Sequence, residues 1–319
     1  MDKTVTIIPH SVSYTLASKV KDYFILIKFT LSFMVVFSCV VSYLLAPNIQ
    51  FNLASVILLF VAGMFITGSA NAINQTVERK TDALMRRTSG RPVASGRMSA
   101  NEAWAFAIIT GAIGIIIMWY RFNFASAVIS LFSLFLYAFI YTPLKKVNSI
   151  SVLVGAFPGA LPCLIGWIAG TGLISPFATF QGTLATGEAH TFYNYGGYIL
   201  FAIQFIWQFP HFWAIAWVAH KDYQKAGFKL LPSEEGPTKF TAMQAVIYSM
   251  LMIPVGMLPY YFGISGILAF WILLACGLWM VFVSINLVMK MNVDAARKVM
   301  FSSYFYLMIV FLALLLDKV

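Results

Sequence analysis

Three oxygen-bearing side chains stand four residues apart, Asn74, Glu78 and Asp82, at the end of an apolar run that covers 58–70. On a helix that spacing lines one face, and Asn71, three residues earlier, falls near the same stripe. Two carboxylates and two amides facing one way make a hard-cation site. Such a site suits magnesium, which is held through one or two carboxylates together with substrate phosphates. Arg87 and Arg91 follow, again four apart, and their forked N–H groups could grip anionic oxygens in pairs. The same pattern also fits a solvated helix beside a membrane, laced by i,i+4 ion pairs.

A second polar group lies far along the chain. Gln204, Gln208 and His211 sit on one predicted helix face, and Asp222 follows three turns later if that helix stays regular. Amides and an imidazole inside an apolar span are costly unless they face a partner or a cavity. Gln204 reads as interhelical glue, whereas His211, beside Pro210, reads as functional. His220 reads as a surface residue. Gln208 and Tyr223 join the candidate binding set. Lys146, in Tyr141-Thr142-Pro143-Leu144-Lys145-Lys146, could bring another cation to the same mouth, or serve only as a topological anchor. The run from Gly155 to Pro162 predicts a broken helix or a close backbone approach along a cavity wall.

The elements that must position these groups are membrane spans. Of 319 residues 61% are hydrophobic and only 10% charged, and the mean hydropathy is +0.84, which excludes a soluble globular domain. The apolar runs do not alternate, which excludes a membrane β-barrel. The fold class is therefore an all-α polytopic membrane bundle of about nine spans. They are expected at 24–46, 51–76, 102–121, 124–142, 150–171, 196–218, 241–263, 265–289 and 299–316. The whole of 1–319 reads as one transmembrane domain. Residues 1–22 form a cytoplasmic arm ending in an interfacial helix around 13–23, and 77–101 and 219–240 are charged active-site loops. The connection 172–195, with Glu188 and His190, is expected to be a plain loop.

Charge placement sets the orientation. Lysines and arginines cluster in the loops after the second, fourth, sixth and eighth spans and ahead of the first. That puts the N-terminus in the cytoplasm and the C-terminus outside, in the cell membrane. The net charge of +10 follows this rule and needs no nucleic acid to explain it. Cys39, Cys163 and Cys276 each lie in an apolar run without metal-ligand spacing, and read as buried small hydrophobes.

Asn74-xxx-Glu78-xxx-Asp82 with Arg87-Thr88 and Arg91-Pro92 resembles the first acidic motif of the UbiA-type intramembrane prenyltransferases. Trp207-Gln-Phe-Pro-His211-Phe, Lys221-Asp-Tyr-Gln-Lys-Ala-Gly227, Leu231-Pro232 and Tyr141-Thr-Pro-Leu-Lys are similar to the haem-directed branch of that superfamily. The resemblance implies a bundle around a central cavity open to the cytoplasm. It implies transfer of a farnesyl group from farnesyl diphosphate to the 2-vinyl group of haem b, giving haem O for terminal oxidases, with Mg²⁺ as cofactor. It also implies a haem-modifying or oxidase-assembly partner in the same bilayer. In that frame Asn74, Glu78, Asp82 and Asp222 ligate metal, Arg87, Arg91 and Lys146 neutralise diphosphate or haem propionates, and His211 serves the haem. Two departures stand out: Glu78 replaces the usual Asp, and Ala226 stands where a second loop acid is usual. The acidic motif alone fits equally an enzyme prenylating an aromatic quinone precursor, and intramembrane polar residues alone fit a transporter or scaffold.

Overall fold

The structure is a computed structural model that describes residues 15–183, 189–233 and 235–319. Residues 1–14 of the expected arm and Glu188 lie outside the described residues. Among those described, eight helices are long and apolar enough to cross a membrane, and the count is nine if a bent pair is taken as one span. The bent pair is α1 (Leu16–Leu26) and α2 (Phe29–Leu45), which meet at 52°. Then come α3 (Leu53–Val77), a single turn α4 (Arg79–Asp82), α5 (Ala100–Arg121) and α6 (Phe124–Phe135). The sixth helix continues through a π-helical segment (Leu136–Tyr141) into α7 (Thr142–Leu144). The second half holds α8 (Ser151–Thr171), α9 (Gly196–Val218), α10 (His220–Lys225), α11 (Lys239–Tyr261), α12 (Ile267–Lys290) and α13 (Val293–Leu316).

The starts of these helices are written locally. Asn52, Ser99, Asn123, Thr238 and Asn292 each accept a bond from the backbone N–H three residues on, satisfying a donor the helix leaves open. Asn292 is why α13 begins at Val293 and not near 299: its polar first turn is capped, with Asp294 and Arg297 paired at 3.0 Å. The first span departs further from expectation, because it is not one helix from 24 to 46 but breaks at Ile27–Lys28. A helix does stand where one was expected around 13–23: α1, which runs on to that break.

α8 and α9 form the buried centre, α8 against α2 and α9, and α9 against α11 and α13. Of the two expectations for the run from Gly155 to Pro162, a break or a close approach, the second holds, since α8 does not break at Pro158 or Pro162. Its glycines serve close approach instead: a Cβ on Gly166 would lie 1.9 Å from the Cys39 carbonyl oxygen on α2, and one on Gly159 would lie 2.0 Å from Gln208 Oε1 on α9. Large apolar side chains such as Ile108, Trp279 and Phe282 are more than half exposed, as lipid-facing residues are.

The connection after α8 is not a plain loop. β1 (Thr179–Thr183) and β2 (Ala189–Tyr193) pair antiparallel. Asn194 ties that connection to the bundle, accepting from Trp167 Nε1 at 2.7 Å and donating to the Leu173 and Ser175 carbonyls.

Candidate active site

The four residues of the first stripe converge as the sequence predicts, by a less regular route. α3 ends at Val77, and Glu78 leaves helical geometry at φ −85°, ψ 3° before the single turn of α4. Backbone bonds nevertheless cross the break, from Glu78 N–H to the Asn74 carbonyl (2.9 Å) and from Asp82 N–H to the Glu78 carbonyl (2.8 Å). The i,i+4 spacing therefore survives, and Asn71, Asn74, Glu78 and Asp82 are all buried.

Each of the last three meets a cation from a different element. Arg91 folds back so that Nη1 reaches both Asp82 oxygens, at 2.8 and 2.7 Å. Lys145 Nζ stands 2.5 Å from Glu78 Oε1 as an ion pair, outside hydrogen-bond alignment, so that buried oxygen accepts no hydrogen bond. Lys28 Nζ donates to Asn74 Oδ1 at 2.9 Å.

Lys28 reaches the site because of the break in the first span. Its backbone is left-handed (φ 49°, ψ 57°), which costs a non-glycine residue roughly 1 kcal/mol. Amides of α3 hold the break in place. Gln75 Nε2 donates to the Ile25 and Leu26 carbonyls, and Asn71 Nδ2 donates to the Ile27 carbonyl and to Ser32 Oγ. Asn71 thus braces the site rather than lining it, and satisfies carbonyls the bend leaves open.

The π segment sets Lys145. Pro143 has no N–H to give, so the ladder ahead of it widens, and Thr142 Oγ1 donates back to the Tyr137 carbonyl at 2.8 Å. That hydroxyl also accepts from Asn74 Nδ2 (3.2 Å), and Tyr137 OH reaches Asn71 Oδ1 (3.4 Å). The Lys145 ammonium lies 5.0 Å from the Tyr141 ring centre and 5.4 Å from that of Phe228. Burial holds its pKa below the ordinary lysine value, against the opposing pull of Glu78. Lys146, the lysine expected at the mouth, is exposed.

The opposite wall is built from α9 and α10. Gln204 and Gln208 face α8, donating to the Gly159 carbonyl (2.8 Å) and the Ala156 carbonyl (2.9 Å), and Gln204 Oε1 accepts from Cys163 Sγ at 3.0 Å. His211 turns to α13, where Nδ1 meets Ser303 Oγ at 2.7 Å. Trp207 stacks on its ring at 4.8 Å and Tyr304 meets it edge-on at 4.6 Å. The structure therefore does not aim all three residues of this stripe into one cavity. Because α9 ends at Val218, Asp222 does not continue its stripe and instead lies half-buried on α10. Its neighbour Tyr223 accepts from Arg87 Nη2 at 2.9 Å, with the guanidinium 5.4 Å from the ring centre. That contact joins the two charged loops.

Two cavities are lined by neighbours of the paired charges, though by none of the paired residues themselves. One of about 70 Å³ lies against Asn71, Tyr137, Ile66 and Leu134, and one of about 250 Å³ lies against His220, Tyr223, Phe228 and Leu231. Among the described residues no three His, Cys, Asp or Glu side chains gather as a ready metal cage. The donors still suit a hard cation. Two buried carboxylates, an amide and one carboxylate oxygen without a hydrogen bond match the way magnesium is held jointly by protein and phosphate.

Sequence reasoning found the acids and both arginines but missed Lys28 and Lys145. In the sequence Lys28 is one more charge opening the first span, with nothing beside it to single it out. Lys145 stands next to Lys146 in the Tyr141–Lys146 stretch, and the signal for it is the motif Tyr141-Thr-Pro-Leu-Lys145 itself.

The UbiA prenyltransferase family model matches residues 35–313. The chain is 44% identical over 308 residues to the protoheme IX farnesyltransferase of Cytophaga hutchinsonii, covering 95% of this chain and 100% of that one. It is 41% identical to the protoheme IX farnesyltransferase of Flavobacterium johnsoniae, covering 90% and 91%. A solved digeranylgeranylglyceryl phosphate synthase matches with a TM-score of 0.72 at 20% identity, over 94% of this chain and 98% of that one. A UbiA homolog from Archaeoglobus fulgidus bound to GPP and Mg2+ matches at 0.60 and 16%, over 92% and 99%. With its paired acids and basic groups in a bundle of apolar, membrane-length helices, the chain belongs to the UbiA prenyltransferase family and is a membrane-embedded prenyl-transferring enzyme.

Proposed function

We propose that this enzyme transfers a farnesyl group from farnesyl diphosphate to the 2-vinyl group of haem b, giving haem O. The observation that carries this reading is the buried cluster of Asn74, Glu78 and Asp82 with Lys28, Lys145 and Arg91, in a chain 44% identical to a protoheme IX farnesyltransferase over nearly its whole length.

The farnesyl C1–oxygen bond breaks only if the departing diphosphate is stabilised. Lys28, Lys145 and Arg91 stand where its oxygens would bind, and Arg87, anchored on Tyr223, adds a cation at the rim. Asn74, Glu78 and Asp82, with Asp222 from the second loop, would hold Mg²⁺, which when bound supplies charge neutralisation at the phosphoryl oxygens. The apolar tail runs down α3 toward the cavity at Ile66 and Leu134, where exclusion of water protects the allylic cation. Carbon C1 then bonds to the terminal vinyl carbon. Water adds at the carbon next to the ring and releases a proton, which gives the hydroxyethylfarnesyl product. A vinyl group is a weak nucleophile, so positioning matters more than a strong base. His211, stacked under Trp207 and fixed by Ser303, acts through the haem wall.

The charged loops face the cytoplasm in this reading, with the N-terminus inside and the C-terminus outside the cell membrane, as the lysine and arginine placement indicates. Haem O leaves for a haem-modifying or oxidase-assembly partner in the same bilayer. The test is expression in a bacterial strain lacking its own haem-farnesylating enzyme. The wild-type chain restores extractable haem O and Asp82→Ala does not. Prenylated 4-hydroxybenzoate without haem O would favour a quinone-precursor enzyme instead.

A further inference from the structure

Asn74, Glu78 and Asp82 are all occupied, each by a cation of the chain itself. Lys28 Nζ holds Asn74 Oδ1 at 2.9 Å, Lys145 Nζ holds Glu78 at 2.5 Å, and Arg91 Nη1 holds both oxygens of Asp82. These basic groups come from three separate places: the break in the first span, the end of α7 beyond the π segment, and the loop after α4. The arrangement is not a local default of the chain. Lys28 is delivered on a left-handed backbone that Asn71 and Gln75 clamp from α3, and Lys145 is buried with its ammonium against two aromatic rings.

The pairing decides what can enter. Two buried carboxylates and an amide face three basic side chains, with Arg87 a fourth at the rim. A bare divalent cation must displace these basic groups before it can reach the oxygens. A diphosphate ester, roughly −3 at neutral pH, is drawn in, and so is its still anionic complex with one divalent metal.

We propose that Lys28, Lys145 and Arg91 are the resting counter-cations of the site, holding Asn74, Glu78 and Asp82 until a divalent metal arrives already bound to the prenyl diphosphate. The three cations then exchange from the protein oxygens onto the phosphoryl oxygens, and the vacated oxygens take the metal. Ion pairs trade partners in this step, and no covalent bond changes. The inference rests on the reading of this cluster as a metal–diphosphate site, and it adds an order of binding to that reading.

Electron paramagnetic resonance of free Mn²⁺ tests it on the full-length protein in detergent, with and without an unreactive farnesyl thiodiphosphate. The wild type binds Mn²⁺ weakly alone, and the analogue tightens binding by about 100-fold. Lys28→Met and Lys145→Met each tighten Mn²⁺ binding without analogue by about tenfold, because each frees a ligand oxygen. Lys145→Arg keeps the wild-type value. Should Lys145→Met fail to fold, Lys28→Met and the wild-type comparison still decide the matter. Tight Mn²⁺ binding without analogue in the wild type, or unchanged affinity in the Met variants, overturns the proposal. Mn²⁺ that stays free even with analogue present overturns the metal–diphosphate reading beneath it.

Discussion

Arg87, in the loop after α4, donates to the phenol of Tyr223, on α10, at 2.9 Å. The two residues are 136 positions apart, and their contact joins the two charged cytoplasmic-loop segments expected from the sequence. The guanidinium also lies over the Tyr223 ring at 5.4 Å, so the contact has two components. Tyr223→Phe removes the hydrogen bond and keeps the ring. It should lower kcat/KM for farnesyl diphosphate by about threefold to tenfold, the cost of one hydrogen bond to a charged group. Arg87→Ala removes the cation as well and should cost about 100-fold or more. Equal effects would mean that the ring contact contributes nothing.

Asp82 and Arg91 form a buried pair, with side-chain exposures of 1% and 19%. Removing one partner of such a pair leaves an uncompensated charge. Arg91→Ala should therefore destabilise the protein by about 3 kcal/mol, and Asp82→Asn, which removes the carboxylate charge but keeps a polar side chain, by less. Denaturation in detergent measures both. An Arg91→Ala variant as stable as the wild type would show the pair to be solvated.

Lys145 gives a pH dependence of known sign. Its pKa in the folded protein is lowered by burial, against the opposing pull of Glu78, while the unfolded chain keeps the ordinary value of 10.5. Between those two values the unfolded chain binds more protons, so stability rises with pH across that window. Affinity for diphosphate falls over the same window, because the cation is being lost. Lys145→Arg, whose guanidinium stays charged, should remove the alkaline loss of affinity. Competition by inorganic diphosphate from about pH 7 to about pH 10 reads it out.

His211 is separate from the diphosphate cluster, since its imidazole is fixed by Ser303 and Trp207 and not by any of the acids. His211→Ala should leave affinity for the farnesyl analogue within about twofold and lower haem turnover by about 100-fold. Ser303→Ala, which keeps the stacked Trp207, should fall between. Loss of analogue binding in His211→Ala would tie that residue to the diphosphate instead.

Much of this was legible in the sequence. The four-residue spacing of Asn74, Glu78 and Asp82 survives the end of α3, because i,i+4 backbone bonds continue through Glu78. The eight long spans follow from apolar length, to which a membrane holds a chain strictly, and the bent pair brings the count to the expected nine if it is one span. Lys28 was not legible, because no proline or glycine marks the break at Ile27–Lys28. The amides that stabilise it, Asn71 and Gln75, lie more than forty residues away. Choosing Lys145 over Lys146 required the helical phase, which the π segment shifts. The fan of Gln204, Gln208 and His211 onto different neighbours required the packing of α8 and α13 around α9, which periodicity along one helix does not contain.

The most direct measurement is incubation of the purified protein with haem b, farnesyl diphosphate and Mg²⁺, followed by mass analysis of the extracted haem. A hydroxyethylfarnesyl haem should accumulate with the wild type and disappear with Asp82→Ala. Unmodified haem b from active, folded protein that instead prenylates an aromatic acid would contradict the account.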